Sequence, residues 1–324
     1  MGQLVNGEWV KEGQPSPDGT FRRADTKFRN WVTADGSPGP SGAGGFAAES
    51  GRYHLYVAAA CPWAHRALIV RALKKLDGLI AVSTVEPFMD EDGWAFSPAL
   101  PDHVGGHHRL HEVYTAAVPD YTGRASVPVL FDTKRNTIVS NESSEIIRMF
   151  NSAFDGIGAD RSLDLYPPPL RAEIDALNAV VYDTVNNGVY KTGFARTQAA
   201  YDSAATALFA TLDQIDARLG GRRYLTGGRV TEADWRLFTT LIRFDAVYFT
   251  HFKCNLRRIA DYANLSGYLR ELYQMPLIAG TFDLEATRRH YYTSHRSINP
   301  FAIVPIGPLL DFTSAHGRDR LKAA

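Results

Sequence analysis

The stretch YHLYVAAACPWAHRALIVRAL, residues 53–73, places Cys61 where a run of strand-forming residues gives way to a helical pattern. Pro62 suits the first turn of that helix, where its missing N–H is not needed. The unpaired N–H groups and the positive dipole end of a helix favour the thiolate, which is the reactive form of cysteine. His65 and Arg66, one turn further along, would add positive charge if their side chains turn back toward the sulfur. We therefore predict a reactive thiol at Cys61; the alternative is a small residue buried in the core.

Ala64 stands where a dithiol redox motif would carry its second cysteine. A mixed disulfide formed at Cys61 must then be resolved by an external thiol. Glutathione is the abundant small thiol of the cytosol, so the single-thiol arrangement predicts glutathione as the partner. Cys254, within THFKCNLRR, has no comparable setting and is interpreted as structural.

The segments that follow have the order of a thioredoxin-like domain. LIAVSTVEP has the pattern of a second strand, SVPVLFD and NTIVS of two further strands joined by a turn, and NESSEIIRMFNSAF of a helix. The order is β-α-β, a long insertion, then β-β-α. We expect an α/β thioredoxin-like domain over residues 51–160, with the insertion at 87–123.

The segments before and after the thioredoxin-like domain have different sequence patterns. Residues 1–50 are rich in Gly, Pro and Ser with scattered aromatics, which favours an extended N-terminal arm pinned to a folded body. The Pro-rich stretch DRSLDLYPPPL (160–170) marks a domain boundary. Helical periodicity follows it, so we expect an all-α C-terminal helical bundle over 161–290. From His290 onward the chain is predicted to be irregular, with 291–324 as a C-terminal extension.

The composition excludes several classes of protein. The chain has 35 acidic and 35 basic residues among 324, which gives no support for nucleic acid or an anionic membrane as a partner. No apolar stretch approaches the roughly 20 residues that cross a bilayer, and the N-terminal sequence lacks the pattern of a signal peptide. Two cysteines cannot form a disulfide framework. We expect a soluble cytoplasmic protein.

Two further signals complete a site shaped for glutathione. In ASVPVLFD the Val127–Pro128 pair begins a strand, where a cis peptide bond would present the Val127 backbone to a peptide ligand; the alternative is an ordinary edge-strand proline. In SNESSEII, Ser140 or Asn141 is predicted to cap the helix, whose first N–H groups suit a carboxylate. Glu142 and Ser143 would lie there, able to contact an amine and a carboxylate.

The insertion also contains the histidine-rich sequence HVGGHHRLH. Histidines at this spacing could bind zinc. No cysteine lies near them, so we interpret the segment as a polar loop at the surface or over the site entrance and predict no metal. The four histidines are His103, His107, His108 and His111.

The domain order resembles that of cytosolic glutathione transferases, and TEADWRLFTTLIRFD resembles their C-terminal helix motif, in which Thr231 and Asp234 form a capping box. More narrowly, the chain resembles the glutathionyl-hydroquinone reductases, the Xi class of glutathione transferases. That resemblance extends from the N-terminal arm to about residue 305. It rests on CPWAHR, GWAFS, VPVLFD, NESSEIIRMFN, NNGVYKTGFARTQAAY, DWRLFTTLIRFDAVYF and HYYTSHRSINPFAIVP.

The resemblance implies roles for individual residues. Cys61 corresponds to the nucleophile and Tyr190 to the tyrosine that exchanges a proton with the substrate. Tyr248 and Tyr291 correspond to tyrosines that favour the thiolate, with Tyr292 adjacent but facing another way. The implied glutathione-binding residues are Trp94, Arg124, Val127, Pro128, Glu142 and Ser143. A homodimer is implied as well.

The implied reaction is the glutathione-dependent reduction of a glutathionyl-hydroquinone to a hydroquinone, with glutathione as co-substrate and neither metal nor nicotinamide. A mixed disulfide on Cys61 is resolved by a second glutathione. Two alternatives use the same fold. One is a glutaredoxin-like monothiol transferase or dehydroascorbate reductase. The other is a non-catalytic binding protein, whose signature would be loss of Cys61 or of the Glu142–Ser143 pair, and both are present.

Overall fold

A computed structural model describes residues 2–11 and 18–321. The chain divides into two units by its internal contacts. The first comprises Ala24–Asp164 and Thr281–His290, together with the described residues up to 11. The second comprises Leu165–Gly280 and the residues from Tyr291 onward, together with residues 18–23.

The first unit is built on a four-stranded mixed sheet with strand order β4-β3-β5-β6. β3 pairs parallel with β4 and antiparallel with β5, and β5 pairs antiparallel with β6. All six residues of β3 are buried, as expected for an inner strand covered on both faces. The strands of the chain are β1 (Gln3–Val5), β2 (Glu8–Val10), β3 (Tyr53–Ala58), β4 (Ile80–Val85), β5 (Val129–Asp132) and β6 (Thr137–Ser140).

Helices account for most of the remaining regular structure, and α1 and α3 pack against each other in the first unit. The helices are α1 (Pro62–Leu73), α2 (Leu110–Ala117), α3 (Ser143–Ser152), α4 (Arg171–Val180), α5 (Gly188–Gly193), α6 (Gln198–Gly221), α7 (Glu232–Arg243), α8 (Phe249–His251), α9 (Leu265–Gln274) and α10 (Leu284–Ser294). The predicted fold class, a thioredoxin-like domain followed by an all-helical domain, is confirmed.

The second unit is held together around α7, every residue of which is buried. Its start carries the predicted capping box, in which the backbone N–H of Thr231 donates to the Asp234 carboxylate at 2.8 Å. Two π-helical segments interrupt the helices, Val181–Asn186 before α5 and Phe244–Tyr248 after α7. Such segments are frequent at functional sites.

Near the C-terminus, the Arg318 side chain donates hydrogen bonds to the backbone at the end of α6. Its guanidinium is 2% exposed and donates to the carbonyl oxygens of Arg222 and Arg223 at 2.8 and 2.7 Å. The Glu271 carboxylate accepts from its Nε at 3.2 Å. A buried cation thus binds the carbonyl oxygen of the residue that caps α6 and that of the next residue.

Three features depart from the sequence prediction. The irregular structure predicted from His290 begins later, because α10 continues to Ser294 and no Gly or Pro interrupts it there; from residue 295 to 321 the chain has no helix or strand, as predicted. The insertion contains a helix, α2, that was not predicted. The N-terminal arm contains a short hairpin, β1–β2, joined by the left-handed residues Asn6 and Gly7. Among the described residues, no helix is long and apolar enough to cross a membrane.

Candidate active site

Cys61 occupies the N-cap position of α1, with extended backbone angles (φ −77°, ψ 120°) and Pro62 next to it in the first turn. Its carbonyl accepts from the His65 N–H at 3.0 Å, so the helix begins directly at the cysteine. The thiol is half-buried, neither sealed in the core nor fully in solvent. Cys254 is fully buried, and burial raises the pKa of its thiol well above the ordinary value. The sulfur with access to a ligand is therefore that of Cys61.

The segment before β5 lies against Cys61. The Cys61 thiol donates to the carbonyl oxygen of Val127 at 3.5 Å, and the Val127–Pro128 peptide bond is cis. Both Val127 and Pro128 are buried, and Arg124 lies half-buried in the same loop. The structure thus brings the predicted nucleophile and the Val-Pro pair together.

The start of α3 differs from the prediction in one respect. Ser140 or Asn141 was predicted to cap the helix, but this is wrong, since the N-cap is Glu142. The Glu142 carboxylate accepts from the backbone N–H and the hydroxyl of Ser144 at 3.0 and 2.8 Å. α3 begins at Ser143, so Ser140 and Asn141 lie too early in the chain, and the Ser140 hydroxyl accepts from the Glu142 N–H at 3.1 Å instead.

The Glu142 carboxylate is ionised at neutral pH. Burial by itself raises its pKa, but hydrogen bonds from the backbone and hydroxyl of Ser144, the charge of Arg66 and the Thr26 hydroxyl outweigh burial, so the pKa is lowered. The Thr26 hydroxyl donates to the second carboxylate oxygen at 3.2 Å. Next to this anion, Ser143 is buried at the positive end of α3. Glu142 and Ser143 therefore place a negative and a positive electrostatic environment next to each other.

The structure gives contacts for both His65 and Arg66, the residues expected to add positive charge if their side chains turned back toward the sulfur. The His65 ring is hydrogen-bonded to the Thr281 hydroxyl at 2.9 Å. The Arg66 guanidinium lies over the Trp63 ring, 4.4 Å from its centroid, and one of its N–H groups reaches the Ser143 hydroxyl at 3.4 Å. Sequence reasoning could not predict these contacts, because they join α1 to segments far along the chain.

Trp94, in the insertion, is buried and stacks on His290, with ring centroids 4.7 Å apart and an angle of 24°. The His290 ring is in turn hydrogen-bonded to the Pro87 carbonyl at 2.9 Å. His290 was not predicted as a site residue. In the histidine-rich loop, the His111 ring stacks on Trp9 at 4.7 Å. Within residues 2–11 and 18–321 no group of three or more potential ligands could hold a metal ion.

The three predicted catalytic tyrosines form a cluster in the second unit. The hydroxyl of Tyr291 shares hydrogen bonds with that of Tyr190 at 2.6 Å and with that of Tyr248 at 3.0 Å. The Tyr291 hydroxyl therefore contacts the hydroxyls of both other members of the cluster. The neighbouring Tyr292 donates instead to the Ala246 carbonyl at 3.2 Å, so its hydroxyl belongs to a different set of contacts.

Burial raises the pKa of two tyrosines of this cluster. Tyr248 and Tyr291 are almost completely buried, and burial raises the pKa of each hydroxyl well above its usual value, although the nearby Arg243 opposes the shift. Both hydroxyls are protonated at neutral pH, as an ordinary tyrosine is, and burial extends this protonation to higher pH. Tyr190 is half-buried and is the most accessible of the three.

The N-terminal arm covers part of the Tyr190 ring. The Arg23 guanidinium lies 4.9 Å from the ring centroid and is held by a 2.8 Å hydrogen bond from its Nε to the Asn187 side chain. Phe21 stacks on the same ring at 6.0 Å and Phe252 meets it edge-on at 5.4 Å. These neighbours were not predicted as site residues, because no local pattern links residues 21–23 with a tyrosine so far along the chain.

Comparisons with known proteins agree with the geometry. Residues 60–153 match the glutathione S-transferase N-terminal domain and residues 198–271 match the C-terminal domain. The glutathione-bound structure of YqjG, a glutathione transferase homolog from Escherichia coli K-12, superposes with a TM-score of 0.92 at 53% identity, covering 98% of this chain and 99% of that one. A Xi-class transferase from Natrialba magadii gives 0.91 at 46% identity, covering 100% and 98%.

Curated relatives include two glutathionyl-hydroquinone reductases. The glutathionyl-hydroquinone reductase YqjG of Escherichia coli K12 is 55% identical, with 98% of this chain and 99% of that protein aligned. The glutathionyl-hydroquinone reductase PcpF of Sphingobium chlorophenolicum is 51% identical, with 95% and 96% aligned. The chain is thus an enzyme of the glutathione transferase superfamily, and it belongs to the glutathionyl-hydroquinone reductases, the Xi class.

Proposed function

We propose that this enzyme uses glutathione to reduce glutathionyl-hydroquinones to hydroquinones, with glutathione disulfide as the second product. The observation that carries the proposal is the setting of Cys61, a half-buried thiol at the start of α1 with alanine in place of a second cysteine. Such a thiol can accept a glutathionyl group and then needs an external thiol to release it. Relatives at 55% and 51% identity with that activity in their names support the same reaction.

The first unit supplies the groups proposed to bind glutathione. The ionised Glu142 carboxylate suits the free ammonium of the glutamyl residue, and Ser143 at the start of α3 suits its carboxylate. The Val127 backbone, beside the thiol, is assigned to the peptide part of the ligand, with Pro128 holding that segment. Trp94 is assigned to cover the bound tripeptide and Arg124 to contact it.

In the first step, the Cys61 thiolate attacks the sulfur of the glutathionyl group. The carbon–sulfur bond to the ring breaks, and a disulfide forms between Cys61 and glutathione. The two sulfur atoms are oxidised and the ring carbon, which exchanges sulfur for hydrogen, is reduced. Tyr190 is assigned to deliver the proton to that carbon. This protonation precedes the attack of the thiolate. It gives a keto tautomer, from which the aromatic hydroquinone is a good leaving group.

In the second step, the thiolate of another glutathione attacks the mixed disulfide and leaves as glutathione disulfide, which regenerates the Cys61 thiolate. Tyr248 and Tyr291 are assigned to stabilise a thiolate by hydrogen bonds from their hydroxyls, the role that the family resemblance implies for them. Sulfur is required at position 61, because a serine could not accept the glutathionyl group. The sequence of steps uses neither a metal nor nicotinamide.

A substrate comparison tests this proposal. The purified full chain is assayed with glutathione and, in separate reactions, a glutathionyl-hydroquinone, a glutathionylated cysteine and dehydroascorbate. We expect the highest kcat/KM for the glutathionyl-hydroquinone. Much faster turnover of the mixed disulfide or of dehydroascorbate would replace the proposal with a monothiol transferase. No turnover of any of them would favour a binding protein.

Assembly and location also remain proposals. We propose that the enzyme is a homodimer in the cytoplasm, as the family resemblance and the cysteine content predict. Sedimentation of the purified chain over a range of concentrations tests the first statement. A monomer at all concentrations would contradict it.

A further inference from the structure

We propose that His290 is a positioning residue, which holds the Trp94 indole in the orientation from which it covers glutathione. The inference rests on the proposed function, because that function assigns the cover of the tripeptide to Trp94. His290 lies on α10, and it belongs to the first unit of the chain together with Trp94. Both residues are largely buried, with exposures of 7% for His290 and 9% for Trp94.

The backbone around Trp94 is fixed by hydrogen bonds to two other segments. The Trp94 carbonyl accepts from the Leu110 N–H, at the start of α2, at 2.9 Å. The carbonyl of the next residue, Ala95, accepts from the Glu86 N–H at 2.8 Å, directly after β4. These bonds place the Cα atom of Trp94. The direction of the indole then depends on the groups against which the side chain packs.

The imidazole of His290 lies against the indole. The two rings are stacked, with centroids 4.7 Å apart and an angle of 24° between their planes. The imidazole is itself held, because its Nδ1 lies 2.9 Å from the Pro87 carbonyl oxygen. A carbonyl only accepts hydrogen bonds, so Nδ1 carries the hydrogen. The ring on which Trp94 stacks is therefore held in one orientation.

One short segment binds both the backbone beside Trp94 and the ring that stacks on it. Glu86 and Pro87 are consecutive residues; the first donates to the Ala95 carbonyl, and the second accepts from His290. An indole held in this way before the ligand arrives loses little side-chain freedom when it covers glutathione. Removal of the imidazole should therefore weaken glutathione binding and leave the chemical step at Cys61 unchanged.

Two substitutions separate the ring from the hydrogen bond. His290→Gln keeps a side-chain N–H for the Pro87 carbonyl and loses the ring, whereas His290→Phe keeps a ring and loses the donor. Calorimetric titration of the full chain with glutathione should give an affinity about 3- to 10-fold lower for His290→Gln. The affinity of His290→Phe should lie between that value and wild type. In both variants, kcat for the glutathionyl-hydroquinone should stay within about twofold of wild type.

Other outcomes of these titrations would overturn the inference. An affinity of His290→Phe equal to or below that of His290→Gln would show that the stacked ring is not what matters. Unchanged affinity in both variants, or a fall in kcat at unchanged affinity, would also contradict a role in holding the cover. His316→Gln is the matched control, because it makes the same change in the second unit, where the imidazole accepts from the Arg318 N–H at 3.1 Å. Its affinity for glutathione should remain within about twofold of wild type.

A double-mutant cycle tests whether His290 acts through Trp94. Trp94→Ala should lower the affinity for glutathione, and addition of His290→Gln to that variant should lower it no further. Additive losses would show that His290 acts independently of Trp94 and would overturn the inference. If Trp94→Ala binds glutathione as the wild type does, the inference fails together with the assignment of Trp94. If the wild type itself does not bind glutathione, the proposed function fails.

A measurement on the wild-type chain does not depend on the folding of a variant. Nuclear Overhauser effects between the ring protons of His290 and Trp94 should be present in the free protein and should persist when glutathione is added. Their loss in the complex would contradict the inference, because the indole would then leave His290 in order to cover the ligand.

Discussion

Replacing Tyr291 by phenylalanine removes a hydroxyl that contacts both other tyrosines of the cluster, whereas the same change at Tyr292 removes a hydroxyl that donates to a backbone carbonyl. The Tyr291 hydroxyl lies 2.6 Å from that of Tyr190 and 3.0 Å from that of Tyr248, and the Tyr292 hydroxyl lies 3.2 Å from the Ala246 carbonyl oxygen. The two residues are adjacent on α10, and both are buried. They therefore form a matched pair of substitutions that differ in which contacts are lost.

The expected loss of stability follows from these contacts. A hydrogen bond contributes about 1 kcal/mol net, so Tyr291→Phe should lower the free energy of unfolding by about 2 kcal/mol and Tyr292→Phe by about 1 kcal/mol. The Tyr248 hydroxyl, on a side chain that is 0% exposed, is left without its Tyr291 partner in the first variant. Urea denaturation of the two variants and the wild type measures the difference.

The expected effect on activity separates the two variants further. Without Tyr291, the Tyr190 hydroxyl loses its 2.6 Å contact with the Tyr291 hydroxyl, and we expect kcat for the glutathionyl-hydroquinone to fall by about 10- to 100-fold, within the range of general acid catalysis. Tyr292→Phe should keep kcat within about twofold. Equal losses of kcat in the two variants, or a greater loss in Tyr292→Phe, would refute the assignment of Tyr291 to the cluster that serves the reaction.

Three further predictions concern the thiol, the C-terminal segment and alkaline pH. Cys61→Ser should abolish reductase turnover and keep glutathione binding, while Cys254→Ala should keep turnover; activity in Cys61→Ser would contradict the chemistry assigned to that sulfur. Arg318→Gln should lower the free energy of unfolding by about 3 kcal/mol, because it removes a buried paired cation, and the exposed Arg320→Gln should change it by less than about 0.5 kcal/mol. A tyrosine whose pKa is raised by folding stabilises the fold fully below its unfolded pKa of about 10, and this contribution is lost as pH rises above that value. Tyr248→Phe should therefore reduce the slope of the decline in unfolding free energy above about pH 10 by up to about 1.4 kcal/mol per pH unit; an unchanged slope in urea titrations would show that Tyr248 is not shifted.

The fold was predictable from sequence because its signals are local. A buried strand followed by Cys61-Pro62 at the start of a helix and the Thr231–Asp234 capping box each depend on a few neighbouring residues. The capping of α3 was mispredicted, since Ser140 and Asn141 are preferred N-cap residues and Glu142 is not. β6 ends at Ser140, which leaves Glu142 at the cap.

The arrangement of the site was less accessible to sequence reasoning. Tyr291 and Tyr292 are adjacent and chemically identical, so the direction of α10 alone determines which hydroxyl joins the cluster. Arg66 contacts a residue of α3, and Arg23 lies over a tyrosine ring. Both contacts join residues far apart in the sequence, so no periodic pattern predicts them. Packing between elements decides such directions, whereas a motif identifies only the residue type.

The most direct measurement of the central claim is mass spectrometry of the full chain mixed with a glutathionyl-hydroquinone in the absence of free glutathione. The account predicts release of the hydroquinone in an amount equal to the enzyme and the addition of one glutathionyl group, located on the peptide that contains Cys61. Addition of glutathione should then remove the adduct and produce glutathione disulfide. Release of hydroquinone with no adduct on Cys61 would contradict the account.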